Sequence, residues 1–184
     1  MARPRYLFMA MPSRAVLDAM QVLVDRYGVA RQLNGALFVP SNWHQSLSDR
    51  HWEEDTPDVR EKMLRAGAKV SAQAVAMRLN RIVANGEHWA FRARGSPDGF
   101  DELLAAVRRA LATEGIDDRA GHTPHVTLSY TAAEHQKPPK IKEVIDWVLD
   151  EVLLVVGGGS PYHYEILGRW PLQPSPGDHQ LDLF

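Results

Sequence analysis

An α+β fold is predicted by three features of the sequence. Strand-like and helix-like segments alternate in each half, and a strong hairpin signal, Asn85-Gly86, lies near the middle. Two short motifs with the order His, any residue, hydroxyl, Leu begin at His44 and His125, 81 positions apart. They divide the chain into halves of similar design.

The elements follow from local chemistry. Arg5 to Ala10, with Tyr6, Leu7, Phe8 and Met9, reads as a first strand. Pro12-Ser13 supplies a turn and a cap, and Val16, Met20, Leu23 and Tyr27 then fall on one helical face that Gly28 ends. Ala36 to Val39 is a short strand candidate, followed by a turn at Pro40-Ser41-Asn42. Trp43 to Ser48 carries the first motif, with Trp43 and Gln45 on one face and His44, Ser46 and Ser48 on the other. Thr56-Pro57 opens a helix with Val59, Met63 and Leu64 on its apolar side and Gly67 at its end. Val70 to Val83 and His88 to Arg94 form the hairpin. A helix entered at Ser96-Pro97 follows, with the stripe Phe100, Leu103, Leu104, Val107 and Leu111 and a stop at Gly115.

Thr123 to Tyr130 is the second motif strand, entered through Pro124. Side chains alternate along a strand, so Val126 and Leu128 face the core while His125 and Thr127 share the opposite face. After a polar loop over Thr131 to Lys140, the spacing of Ile141, Val144, Ile145 and Val148 predicts a short helix. Glu151 to Val156 and Tyr162 to Leu167 read as strands joined by Gly157-Gly158-Gly159.

Composition narrows the function. The 184 residues carry a formal net charge of −2, so any contact with a polyanion is local. Without cysteine there is no disulfide, thiolate site or cysteine nucleophile. No apolar run approaches the ~20 residues of a membrane span, and Pro12, Ser13 and Arg14 interrupt any signal-peptide core, so a cytoplasmic location is expected. His122 and His125 are three apart, but Pro124 keeps them off one helical face and no carboxylate cluster accompanies them, so no metal site is predicted. His51, His88, His135, His163 and His179 have no partner pattern and read as surface or core residues. Arg78, Arg81, Arg92 and Arg94 make the hairpin the densest basic group, either a solvated sheet face or a phosphate-tracking patch beside a cleft.

Two imidazoles facing one another across a cleft supply a general acid and a general base, each worth ~10²–10⁴ in rate. Two neighbouring hydroxyls can donate hydrogen bonds to an anion that gains charge in the transition state. Acid, base and anion holders together suit displacement at phosphorus.

On His44-Gln45-Ser46-Leu47 and His125-Val126-Thr127-Leu128, the chain resembles the 2H phosphoesterase superfamily, specifically the RNA 2′,3′-cyclic phosphodiesterase (2′-5′ RNA ligase) family. Tyr164-x-x-Leu167-x-Arg169-Trp170-x-Leu172 resembles the family's closing run, which extends the likeness over residues 5 to 172. The resemblance implies two similar lobes, each an antiparallel sheet with helices outside, around a central cleft. A single domain over residues 1–173 is expected, and Pro174-Ser175-Pro176-Gly177-Asp178 reads as the start of a flexible tail over 174–184. The implied reaction is hydrolysis of a 2′,3′-cyclic phosphate on RNA or a nucleotide to a 2′-phosphate. In it His44 is the proton donor to the leaving 3′ oxygen, His125 is the proton acceptor from water, and Ser46 and Thr127 hold the non-bridging oxygens. No cofactor is implied. Run backwards with a 5′-hydroxyl, the same steps make a 2′-5′ linkage without ATP.

The chain departs from the family pattern at Gln45, Ser46 and Ser48-Asp49-Arg50. It also has Tyr130 where the family often has arginine; this ring either packs or stacks on a base. Two other readings are a cyclic phosphate of ADP-ribose type as substrate, and a non-catalytic RNA-end or clamp adaptor. The last rests on the altered first motif; Gln180, Leu181, Asp182, Leu183 and Phe184 resemble the bacterial DNA sliding-clamp-binding motif and would make the clamp a partner. The alternative for those residues is an apolar end folded onto the protein's own surface.

Overall fold

A computed structural model describes residues 5–133 and 136–175. The clamp-like residues 180–184, His135 and His179 therefore lie outside the described residues. Two four-stranded antiparallel sheets organise the chain. The first has the order β2-β1-β7-β8, with β1 at Arg5–Ala10, β2 at Gln45–Ser46, β7 at Glu151–Gly158 and β8 at His163–Pro171. The second has the order β5-β4-β3-β6, with β3 at Val75–Asn85, β4 at His88–Ala93, β5 at His125–Ser129 and β6 at Ile145–Leu149. One motif lies on each sheet, as the two-lobed α+β expectation required.

Sequence halves and lobes are not the same thing. The C-terminal β7 pairs with β1 from Arg5↔Gly157 to Met9↔Leu153, so the last strands complete the first lobe. Helix α1, Arg14–Arg26, follows β1 but packs on β6 of the other lobe. Its Ser13 hydroxyl accepts the Val16 N–H, which caps the helix. Gly28, in the left-handed region just past the Tyr27 cap, ends α1 as expected and leads into a second short helix, α2, at Val29–Leu33. Helix α3, Pro57–Gly67, packs on β7 and β8 and against α4, Phe100–Thr113. The closing run is structural here: Trp170 lies against Phe8 and over the Cα of Gly67 and Gly168, where a methyl group would collide with its ring.

Four sequence expectations are corrected. Residues 141–148 are not a helix: β6 buries Ile145, Trp147 and Leu149 and leaves Asp146 and Val148 outside, a period of two imposed by pairing with β3. Ala36 to Val39 is not a strand; between Gly35 and the 3-10 turn Pro40–Asn42 it gives one ladder-like bond, from Phe38 N–H to the Leu128 carbonyl. Strand β3 begins at Val75 rather than Val70, and α4 begins at Phe100, capped at Gly99, rather than at Ser96.

A continuous apolar core underlies both sheets. A smaller cluster of Leu7, Met9, Leu153 and Val155, with Tyr164 against it, covers the other face of β1 and β7. Among the described residues no helix is long and apolar enough to cross a membrane.

Candidate active site

Strand alternation places the second motif as expected. Val126 and Leu128 are fully buried, and His125 and Thr127 share the other face of β5. In the first motif Trp43, Gln45 and Leu47 are buried, while His44 and Ser46 are half-buried. Ser48 is not a cleft hydroxyl. It is wholly buried, accepting the Phe8 N–H at 3.0 Å and donating to the Asp49 carbonyl at 2.8 Å.

The two imidazoles are anchored identically. His44 Nδ1 lies 2.7 Å from the Asn42 carbonyl and His125 Nδ1 lies 2.6 Å from the Thr123 carbonyl, each two residues upstream. A carbonyl only accepts, so both Nδ1 atoms carry hydrogen and both Nε2 atoms are left for chemistry. Burial depresses both rings to about 4 against an ordinary 6.5, outweighing the stabilising carbonyl bonds; nearby positive charge from Arg50 at His44 and from Arg92 at His125 adds to this. Both rings are therefore neutral near pH 7 and poised to gain a proton when an anion enters.

Gln45 ties the two motifs together. Its Oε1 accepts the His125 backbone N–H at 2.6 Å, and its Nε2 donates to the Ser46 carbonyl at 2.8 Å and the Thr123 carbonyl at 3.4 Å. The departure from a hydrophobic residue at this position is thus a buried polar bridge between lobes. A second bridge is acidic: Asp118 accepts the Asp49 N–H at 2.9 Å and faces His51 Nε2 at 3.3 Å, while Asp49 accepts the Arg119 N–H at 2.9 Å.

The cleft has two chambers. One, about 370 Å³, is lined by His44, Thr127, Asn42, Arg5 and the aromatic rings of Phe38, Tyr130, Tyr162 and Tyr164. The other, about 680 Å³, is lined by His125, Ser46, His122, Asp49, His51, Trp52 and Asp117. Arg50 and Tyr130 line both, and Arg50 Nη2 donates to Tyr130 Oη at 3.0 Å across the lobes. Each chamber holds the histidine of one motif and the hydroxyl of the other. The two rings thus line neighbouring chambers that share Arg50 and Tyr130 as lining residues.

His88 is a site residue, although its sequence context points to surface or core. It starts β4, its Nε2 lies 3.0 Å from Thr127 Oγ1, its ring centroid is 5.8 Å from that of His125, and Tyr130 stacks on it at 5.0 Å. Burial lowers its affinity for a proton, and Arg92 lowers it further. Tyr130 is 44% exposed, and the Arg50 guanidinium lies over its ring at 5.6 Å. Among the described residues no three His, Cys, Asp or Glu converge as metal ligands; His122 Nε2 instead lies 2.7 Å from the Ser48 carbonyl.

No protein-family model matches the sequence, and no curated protein matches it. Solved structures do match its fold. Escherichia coli LigT superposes with TM-score 0.76 at 20% identity over 94% of this chain and 99% of LigT. A protein described as a phosphoesterase gives TM-score 0.76 at 18% identity over 92% and 98% of the two chains. A protein from Thermus thermophilus gives 0.72 at 18% identity over 93% and 99%. LigT is also known in complex with ATP, NADP+, 3′-AMP and phosphate. The chain has the two-lobed LigT fold along nearly its whole length.

Proposed function

We propose that this chain is a cyclic phosphodiesterase that opens a 2′,3′-cyclic phosphate on RNA or a nucleotide to a 2′-phosphate. The observation that carries the reading is the matched anchoring of His44 and His125 through Nδ1, which leaves both Nε2 atoms for proton transfer; in this reading the phosphorus sits at the boundary of the two chambers. Water attacks phosphorus and gives its proton to His125 Nε2. His44 takes up a proton on Nε2 when the anionic substrate binds; the bond to the 3′ oxygen breaks, and that oxygen takes this proton from His44 Nε2. Ser46 and Thr127 donate to the non-bridging oxygens as they gain charge. The acid–base pair needs no ATP, and with a 5′-hydroxyl in place of water the same course forms a 2′-5′ linkage, the 3′ oxygen again leaving. The aromatic chamber suits a nucleobase, with Tyr130 and Tyr164 as stacking surfaces. That LigT binds nucleotides in a similar fold supports the same substrate class.

The test is hydrolysis of adenosine 2′,3′-cyclic phosphate with the product isomer identified by chromatography. The expected product is the 2′-phosphate, formed equally well with EDTA present. His44→Ala and His125→Ala should each lower kcat by ~10²–10⁴. Normal turnover in either variant defeats the reading.

A further inference from the structure

Beside His125 lies a recess of about 320 Å³ lined by Arg81, Arg92, Ser96, His122, Thr123 and Asp101, among others. His122 also lines the polar chamber, so the recess adjoins the cleft. We infer that this recess binds the 5′-phosphate of the nucleotide whose cyclic end is opened, so that the enzyme prefers a 5′-phosphorylated or chain-linked cyclic end over a bare cyclic nucleoside. The inference rests on the proposed cyclic phosphodiesterase activity and names its substrate class.

Three observations carry it. In the ladders Arg92 stands opposite His125, and Arg81 stands opposite Arg92. Strands lie about 4.8 Å apart, so the Cα atoms of Arg92 and Arg81 sit roughly 5 and 10 Å across the sheet from that of His125, the scale of one nucleotide unit. Next, Arg81 faces outward only because of a bulge. Leu79 pairs with Ala93 and Arg81 with Arg92, which leaves Asn80 as the extra residue; Leu79 is buried, and regular alternation would bury Arg81 with it. Finally, two arginines directly opposite one another repel. On the same sheet Arg78 is relieved by Asp146 at 3.0 Å, but among the described residues neither Arg81 nor Arg92 has a carboxylate partner. Arg81 spends one hydrogen bond on the Ala93 carbonyl and Arg92 one on Thr123 Oγ1, which leaves most of their N–H groups free for an anion. With Asp101 as the only carboxylate among the lining residues, the wall carries two guanidiniums against one acid. A phosphate monoester supplies the missing charge and accepts forked donors.

The experiment compares kcat/KM for adenosine 5′-phosphate 2′,3′-cyclic phosphate with that for adenosine 2′,3′-cyclic phosphate, in the wild type, Arg81→Gln and Arg81→Lys. The expected wild-type ratio is about tenfold, the scale of one charge-assisted hydrogen bond. It should fall to about one in Arg81→Gln and recover in part in Arg81→Lys. A wild-type ratio near one, or a ratio unmoved by Arg81→Gln, overturns the inference. Calorimetric titration with adenosine 5′-monophosphate judges the recess without turnover. Binding weakened about tenfold by Arg81→Gln supports the recess, and absent or unchanged binding overturns it. If neither cyclic substrate is hydrolysed, the phosphodiesterase reading fails and the titration alone decides the recess.

Discussion

The Gln45 side-chain oxygen accepts the backbone N–H of His125 at 2.6 Å, so a residue of the first motif fixes the main chain of the second. Gln45 is fully buried, and its loss would strand the His125 N–H and the Ser46 carbonyl without partners. Leaving a buried polar group unpaired costs about 1–3 kcal/mol. Gln45→Leu is expected to lower the Tm and to cut kcat more than it raises KM, because the base is displaced while the aromatic chamber is intact. Gln45→Glu, which still accepts the His125 N–H, should restore part of kcat. Kinetics on folded protein check this; an equal loss in both variants would mean that Gln45 serves stability alone.

His88 sets the proton of Thr127. Their contact of 3.0 Å fixes the Thr127 hydroxyl against His88; in the tautomer with hydrogen on Nε2, His88 donates to the hydroxyl oxygen and the hydroxyl hydrogen is left for the cleft. His88→Ala is expected to reduce kcat by about tenfold, one oriented hydrogen bond to a charged oxygen. Thr127→Val should cost as much or more, and the double variant no more than Thr127→Val alone. Additive losses in this double-mutant cycle would place His88 outside the pathway.

Much of this site is legible in the sequence because local and global demands coincide there. Val126 and Leu128 must be buried, and the period of two then turns His125 and Thr127 to the cleft whatever the rest of the chain does. His88 is not legible. Its importance comes from the β4–β5 register, which brings together residues 39 apart, and its own neighbours Asn85-Gly86 signal only a turn. Gln45 reads as a mere departure because its partner lies 80 residues away. The helix expected at 141–148 fails because apolar residues at helical spacing include Val144 and Val148, which are exposed, whereas the buried Trp147 falls outside that spacing. Pairing with β3 overrides the local pattern. Lobe membership is equally hidden, since only the fold shows that β7 completes the sheet begun by β1.

Gly67 is the point at which α3 meets β8. A methyl group there would overlap the Trp170 ring, which is held between α3 and Phe8. Alanine favours a helix, yet Gly67→Ala should destabilise the protein by about 1–3 kcal/mol through overpacking. Denaturant unfolding measures this. In a Trp170→Leu background, where the ring is gone, Gly67→Ala should lose most of its destabilising effect. A stabilised Gly67→Ala protein with Trp170 in place would contradict the packing described.

Acid should weaken the fold through the two motif histidines themselves. His44 and His125 titrate at about 4 in the folded protein and near 6.5 when unfolded. Above pH 6.5 both states hold these rings neutral, so the full stability is present. Between 6.5 and 4 the unfolded chain takes up protons that the folded chain refuses, and stability falls as pH falls. Each ring contributes at most about 1.4 kcal/mol per pH unit, reduced by solvent screening because both rings are partly exposed. His44→Asn removes one such group, so its stability should drop less than that of the wild type between pH 6.5 and 4.5. The same shifts act on catalysis. A bound anion favours protonated imidazole, so the pH profile of kcat should lie at higher pH than that of kcat/KM, which reports the free enzyme. Unfolding curves at the two pH values and paired kinetic profiles check both expectations. Coincident kinetic profiles centred near 6.5, with identical acid sensitivity in His44→Asn, would show that burial does not control these rings.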